Sequence, residues 1–344
     1  MNLQHRLDLL VRLGHYMSEQ SEEWLQAKET AFHKNNWFLP AFIDQAVSVI
    51  VSNYLQPKNL NEVAESYHLP FTNPAPKKVG IVMAGNIPLV GFHDLLCTFL
   101  TGHYAVIKLS SKDDVLTEHL IQTMIKWNEE TAPYFSISTL LKGCDAYIAT
   151  GSNNTARYFE FYFQKYPHII RKNRTSVALL RGDESPEELE KLAEDVHLYF
   201  GLGCRNVTKL YVPQGYDFIP LLDSFNKYSY LIDHHKYKNN YDYNLALHLL
   251  NKKYYMTNGT TLLIEEASLF SPISQVNYEY YEEEQNASEK LKNNDAVQCI
   301  IGRNNVPFGI AQYPCMTDFA DGVDTLQFLL NLNSGEEDKE VRKS

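Results

Sequence analysis

The alternation of apolar and polar positions divides the chain into three stretches. Over residues 1 to about 72 the apolar residues recur at helical spacing, as in Leu3, Leu7, Leu10 and Val11, and again in Phe42, Ala46, Val49 and Ile50. Pro40 and Pro57 punctuate this stretch, and Pro74 and Pro76 close it. From Lys78 the pattern changes to short β-branched runs separated by helical ones. Strands are expected at 78–84, 104–109 and 145–149. Helices are expected between Gly85 and Gly102, at 114–130 and at 153–164. A second series opens with a strand at 175–180. Asp183 to Glu188 then supplies polar caps, a proline and acidic groups for the first turn of a helix running to about Phe200. Further strands are expected at 207–212, 261–264 and 297–301, while 279–284 reads as a solvated acidic stretch.

Strand–helix–strand units of this length imply parallel sheets with right-handed crossovers. The expected organisation is a helical segment over 1–72, a cofactor-binding type of α/β domain over 73–172 and a second α/β domain over 173–305. A return segment over 306–332 and a charged tail over 333–344 complete it. At 344 residues the chain exceeds one ordinary core, which agrees with two α/β domains.

Charge and cysteine usage narrow the function. With 31 Lys+Arg against 42 Asp+Glu the net charge is −11, which argues against a nucleic-acid surface or an anionic membrane as partner. The N-terminal stretch is interrupted by Arg6, Asp8, Arg12 and His15. The most apolar window, 81–100, contains Asn86, Pro88, His93 and Asp94, so neither a leader nor a membrane span is expected. The five cysteines (Cys97, Cys144, Cys204, Cys299 and Cys315) are scattered and show no zinc or disulfide spacing. A reduced, cytoplasmic protein without a metal is expected, and the Asn206-Val207-Thr208 sequon carries no meaning there.

Candidate chemistry lies at strand ends and in one turn. Cys204 sits in Gly201-Leu202-Gly203-Cys204-Arg205-Asn206, with a cation beside it, between a helix and a strand. It reads either as a nucleophilic thiol in an N–H-rich turn or as a buried structural cysteine. Asn86 follows the first strand and reads either as an oxyanion donor or as a turn former. Lys108, Ser110, Ser111 and Lys112 end the next strand. Thr150, Gly151 and Ser152 end the one after and open a helix, a combination suited to a phosphate-bearing cofactor, although neither G-x-G-x-x-G nor a Walker loop is present. The basic run Arg171, Lys172 and Arg174 reads chiefly as a solvated face, with phosphate binding as the alternative. His234 and His235 read as exposed loop residues before proton-transfer groups.

Taken in order, A-G-N-I-P-L, A-V-I-K-L-S, A-T-G-S, G-L-G-C and Pro307-Phe308-Gly309 resemble the motif series of the aldehyde dehydrogenase superfamily over about 78–328. Within it the chain resembles the acyl-CoA reductases typified by the fatty acid reductase of bacterial luminescence operons. The resemblance implies an aldehyde-dehydrogenase-like fold and a Cys204 nucleophile that carries the acyl group as a thioester. Asn86 and the Cys204 N–H would form the oxyanion hole, Lys108 and Ser110 would contact the adenosine ribose, and Ser152 the pyrophosphate. The superfamily's hydrolytic members carry a general-base Glu before the Cys, whereas residues 168–175 hold no carboxylate, which favours CoA or hydride over water. Ser111 and Lys112 replace a ribose-binding carboxylate, which points to NADPH. The substrate implied is an acyl-CoA or acyl-protein thioester, with a homo-oligomer allowed. The rival readings are an NAD(P)-dependent aldehyde oxidoreductase acting on a non-CoA acyl substrate and a non-catalytic scaffold that keeps the fold.

Overall fold

In the computed structural model, which describes residues 1–341 and their side chains through residue 333, the chain forms two units. One comprises Met1–Asn173 together with the segment from Pro314 onward, and the other Arg174–Tyr313.

The first unit begins with helices α1 (Leu3–Ser18), α2 (Glu22–Lys34), α3 (Pro40–Val49) and α4 (Pro57–Ser66), with a π-helical turn at Ile50–Tyr54. Their starts follow from the sequence: Asn2 and Ser21 accept the first free N–H groups of α1 and α2, and proline opens α3 and α4. Leu7, Leu10, Phe42, Ala46, Val49 and Ile50 are buried and Leu3 and Val11 half-buried, so the helical spacing marks a core-facing stripe. A parallel sheet follows, built from β1 (Lys78–Val82), β2 (Tyr104–Lys108), β3 (Phe135–Ile137), β4 (Ala146–Thr150) and β5 (His168–Arg171) in the order β3-β2-β1-β4-β5. Helices α5 (Phe92–Leu100), α6 (Val115–Trp127) and α7 (Asn153–Phe163) form the crossovers. The short β3 and β5 escape the periodicity reading because three or four residues carry too little alternation to register.

The second unit holds β6 (Thr175–Leu179), α8 (Pro186–His197), β7 (Val207–Pro213), α9 (Ile219–Phe225), α10 (His235–Leu250), β8 (Met256–Thr257), β9 (Leu262–Glu265), β10 (Gln275–Tyr281), α11 (Glu284–Lys292) and β11 (Val297–Ile301). The sheet order is β11-β6-β7-β10-β9-β8, parallel except for the antiparallel β8. β6 is buried at every position, the mark of a strand covered on both faces. The chain then returns to the first unit and runs into α12 (Thr325–Val341). That helix takes in most of the charged stretch 333–344, and residues 342–344 lie outside the described residues.

Two local expectations change. The acidic stretch at 279–284 is not simply solvated, because Glu279 to Tyr281 end the inner strand β10. There Glu279 pairs at 3.0 Å with the fully buried Lys209 of the neighbouring strand. The signal lay in the alternation Val276, Tyr278, Tyr280, which a count of carboxylates obscures. The helix expected to reach Phe200 stops at His197 and gives way to a 3-10 turn, Leu198–Gly201, with Tyr199 and Phe200 in the left-handed region. Among the described residues no helix is long and apolar enough to cross a membrane.

Candidate active site

In the first unit the candidates gather at the C-terminal ends of β1, β2 and β4, where parallel sheets place ligands. Lys108 is the last residue of β2 and is exposed. Beyond it, the backbone of the loop after β1 lies directly on the loop after β2. A β-carbon at Gly85 would stand 2.5 Å from Ser110 Oγ and 2.8 Å from Ser110 Cβ, so only glycine permits this approach. Ser110 Oγ accepts the Lys112 N–H at 3.3 Å, while the side chains of Ser111 and Lys112 face solvent. Asn86 is half-buried in the turn that precedes α5.

That turn is held by a residue the sequence reading passed over. The carboxylate of Asp113, 5 % exposed, accepts the N–H of Leu89 at 2.7 Å, and Leu89 has φ +56°, a strained value for a residue with a side chain. Burial pushes the Asp113 carboxyl well above the ordinary carboxylate range. Nothing in the local sequence marks Asp113, since its partner lies 24 residues away. Thr150 and Gly151 lead into α7, where Ser152 is the N-cap and accepts the Thr155 N–H at 3.3 Å. Gly151 again allows a close approach, with a β-carbon there 3.0 Å from Thr155 Cβ. A glycine cradle, hydroxyls at strand ends, an exposed lysine and a helix N-terminus fit the ribose and phosphates of a dinucleotide.

The basic run divides. Arg171 is not on a solvated face: it is 5 % exposed, pairs with the equally buried carboxylate of Asp94 and donates to Thr325 Oγ1 at 2.9 Å. Lys172 pairs with Glu160 at 2.8 Å on the surface, and Arg174 donates to the Val297 carbonyl at 3.4 Å. Arg171 therefore ties β5 to α5 and α12, and phosphate binding is not open to it.

The second unit contains Cys204. Of the five cysteines, Cys97, Cys144 and Cys299 are buried, Cys315 is exposed and Cys204 is intermediate. Cys204 follows three consecutive left-handed residues, Tyr199, Phe200 and Gly201, at φ +54°, +56° and +74°. Its carbonyl accepts the Ser176 hydroxyl at 3.0 Å, and that hydroxyl oxygen in turn accepts the Cys299 N–H at 3.1 Å. Arg205 turns its guanidinium to Cys299 Sγ at 3.3 Å. Thus the cysteine is neither sealed in the core nor on a free loop: strand β6 anchors its backbone.

Behind the turn, α8 ends in two buried ionisable groups. Asp195 accepts the N–H groups of Gly309 and Ala311 at 2.7 and 3.2 Å, tying down the Pro307-Phe308-Gly309 segment, and its burial raises the carboxyl to about 7. His197 bonds the Ala193 carbonyl at 2.8 Å and Thr261 Oγ1 at 2.9 Å, and burial lowers its imidazole to about 4. Of the two loop histidines, His235 is exposed, whereas His234 is half-buried, caps α10 and packs against the Phe200 ring at 4.8 Å. Among the described residues no group of His, Cys, Asp and Glu is placed to hold a metal.

The family model of the acyl-CoA reductase LuxC matches residues 48–218, a span that includes Asn86, the Lys108–Lys112 loop, Thr150–Ser152 and Cys204. No curated protein matches the chain by sequence. Among solved structures, aldehyde dehydrogenase 21 from Physcomitrella patens, in complex with succinate, superposes with a TM-score of 0.67 at 12% identity, over 96% of this chain and 84% of that one. An NADP-dependent enzyme from E. coli gives 0.64 at 12% identity, over 88% and 73%. An indole-3-acetaldehyde dehydrogenase from P. syringae, in complex with NAD+ and IAA, gives 0.64 at 11% identity, over 88% and 72%. The fold is that of the aldehyde dehydrogenases, and residues 48–218, just under half of the chain, match the acyl-CoA reductase family, which supports an oxidoreductase acting on acyl or aldehyde groups.

Proposed function

We propose that the protein reduces an acyl-CoA thioester to the aldehyde, with Cys204 as the acyl-carrying nucleophile and NADPH as reductant. The setting of Cys204 carries this reading: a partly accessible thiol on a strained, strand-anchored turn, within the segment matched by the acyl-CoA reductase family. The Cys204 thiolate attacks the thioester carbonyl carbon, the C–S bond to CoA breaks, and CoA leaves as a thiolate that takes up a proton. The Cys204 N–H and the Asn86 side-chain amide are assigned to the oxyanion that forms on this carbonyl oxygen. Lys108, Ser110, Ser111 and Lys112, with Thr150, Gly151 and Ser152, are assigned to the dinucleotide, which when bound supplies a hydride to the acyl carbonyl. Cys204 is then released as thiolate while the aldehyde departs.

Two features support CoA over water as the exchanging group, and NADPH over NADH. Residues 168–175 contain no carboxylate, and of the acidic side chains that meet this segment the buried Asp94 is paired with Arg171 and the surface Glu160 with Lys172. Ser111 and Lys112 present a hydroxyl and a cation, a pairing that suits a 2′-phosphate. The test is Cys204→Ala assayed with a series of acyl-CoA chain lengths. Reduction should vanish while NADPH binding, followed by nicotinamide fluorescence, persists. Substantial residual turnover would remove Cys204 from the reaction.

A further inference from the structure

Within the turn that bears Cys204, the side chain doing most of the bonding belongs to Asn206. It is fully buried, although asparagine is rarely so. Its Oδ1 accepts the Gly203 N–H at 2.8 Å, and its own N–H donates to the Gly203 carbonyl at 3.1 Å, closing the four residues 203–206 on themselves. Its Nδ2 donates to the carbonyls of Asp195 and Leu198 at 3.0 and 2.9 Å, where α8 ends and the left-handed turn begins. Its carbonyl accepts the Ser176 N–H of β6 at 3.0 Å. One side chain thus satisfies the carbonyls left over by a helix that stops abruptly and also holds the Gly203 N–H just before the cysteine, while the Asn206 backbone N–H holds the Gly203 carbonyl.

We infer that Asn206 is a positioning residue for the Cys204 nucleophile, acting through the 203–206 turn. This rests on the reading of Cys204 given above. An oxyanion donor works only if its N–H already points where charge will develop. The N–H of Cys204 belongs to the Gly203–Cys204 peptide, whose carbonyl accepts the Asn206 N–H and which follows directly on the Gly203 N–H held by the Asn206 side chain, so loosening the clamp lets that vector and the sulfur wander. The chain keeps Asn here, and not Ser or Thr, because the position needs one acceptor and two donated hydrogen bonds from a single planar group.

The test uses the full chain with Cys315→Ser, since Cys315 is the exposed competitor for labelling. Asn206→Ala removes both functions of the amide. Asn206→Asp keeps the acceptor for Gly203 and regains a donor only when the new carboxyl is protonated. Three quantities are followed: the pH dependence of Cys204 alkylation by iodoacetamide, kcat against KM for an acyl-CoA, and melting temperature. Leu221→Ala, in the fully buried core of α9, serves as a control of comparable instability. For Asn206→Ala we expect kcat to fall at least about tenfold with KM within about threefold, and a displaced alkylation profile. For Asn206→Asp, activity relative to the unaltered protein should recover as pH is lowered from 8 to 6. An alkylation profile and kcat matching Leu221→Ala, with no low-pH recovery in Asn206→Asp, would overturn the inference. Turnover surviving in Cys204→Ala would instead reject the nucleophile itself, so the two failures are distinguishable.

Discussion

Position 85 has room for a hydrogen and nothing larger. Added atoms there would strike Ser110 Oγ at 2.5 Å and Lys112 Cβ at 3.1 Å, both in the loop assigned to the dinucleotide. Gly85→Ala should therefore displace that loop, costing on the order of 1–3 kcal/mol through overpacking and weakening NADPH binding in titrations. Ser111→Glu probes the same loop by charge and not by shape. Its carboxylate would stand near the proposed 2′-phosphate, so affinity for NADPH should fall more than affinity for NADH. Equal use of the two cofactors by the unaltered protein would contradict the assignment of Ser111 and Lys112. Sequence reading located this loop from its hydroxyls and lysines but did not find Asp113 or Asn206. Both act through backbone groups brought close by the fold, and neither stands out by periodicity or by motif.

At the scale of an element, α8 joins opposing pH responses in one helix. Burial raises Asp195 from 3.8 to about 7, so the folded state holds an extra proton between those values and stability falls as pH rises through them. Burial lowers His197 from 6.5 to about 4, so the unfolded state holds the extra proton and stability rises with pH over that window. Each amounts to roughly 3–5 kcal/mol at about 1.4 kcal/mol per unit, and between pH 4 and 6.5 their slopes nearly cancel. Asp195→Asn should therefore unmask a melting temperature that climbs from pH 5 to 6.5. His197→Gln should unmask one that declines. Identical slopes in both variants and the unaltered protein, measured by differential scanning calorimetry, would refute this cancellation. The start of α8 was plain in the sequence, because Ser185 and Glu188 form a capping box around Pro186. Its end was not, since the stop comes from left-handed Tyr199 and Phe200, residue types with no local preference for that conformation. The inner strand β10 was likewise hidden, its pairing with β7 and β9 being a property of the sheet and not of its own composition.

Over the whole molecule, strand–helix alternation is a strong enough pattern to reveal two parallel sheets, and the order of five short motifs resembles that of one superfamily. On the proposed reading, the fate of an acyl group on Cys204 depends on a residue type absent from residues 168–175. Hydrolysis needs a side chain that activates water, and residues 168–175 offer His168, Arg171, Lys172, Asn173 and Arg174 but no carboxylate. Arg171 is moreover committed to Asp94 and Thr325 within the first unit. An acyl group on Cys204 should then persist until a thiol accepts it. Run in the oxidative direction, with aldehyde and NADP+, the protein should form acyl-CoA when CoA is supplied and little free acid when it is withheld. Asn86→Ala should slow both directions by roughly 10²–10³-fold, the usual effect of losing one oxyanion donor, with a smaller effect on cofactor affinity. Mass spectrometry of the products, with and without CoA, separates the outcomes. Rapid release of free acid without CoA would mean that another group activates water, and the acyl-CoA reading would fall to a hydrolytic one.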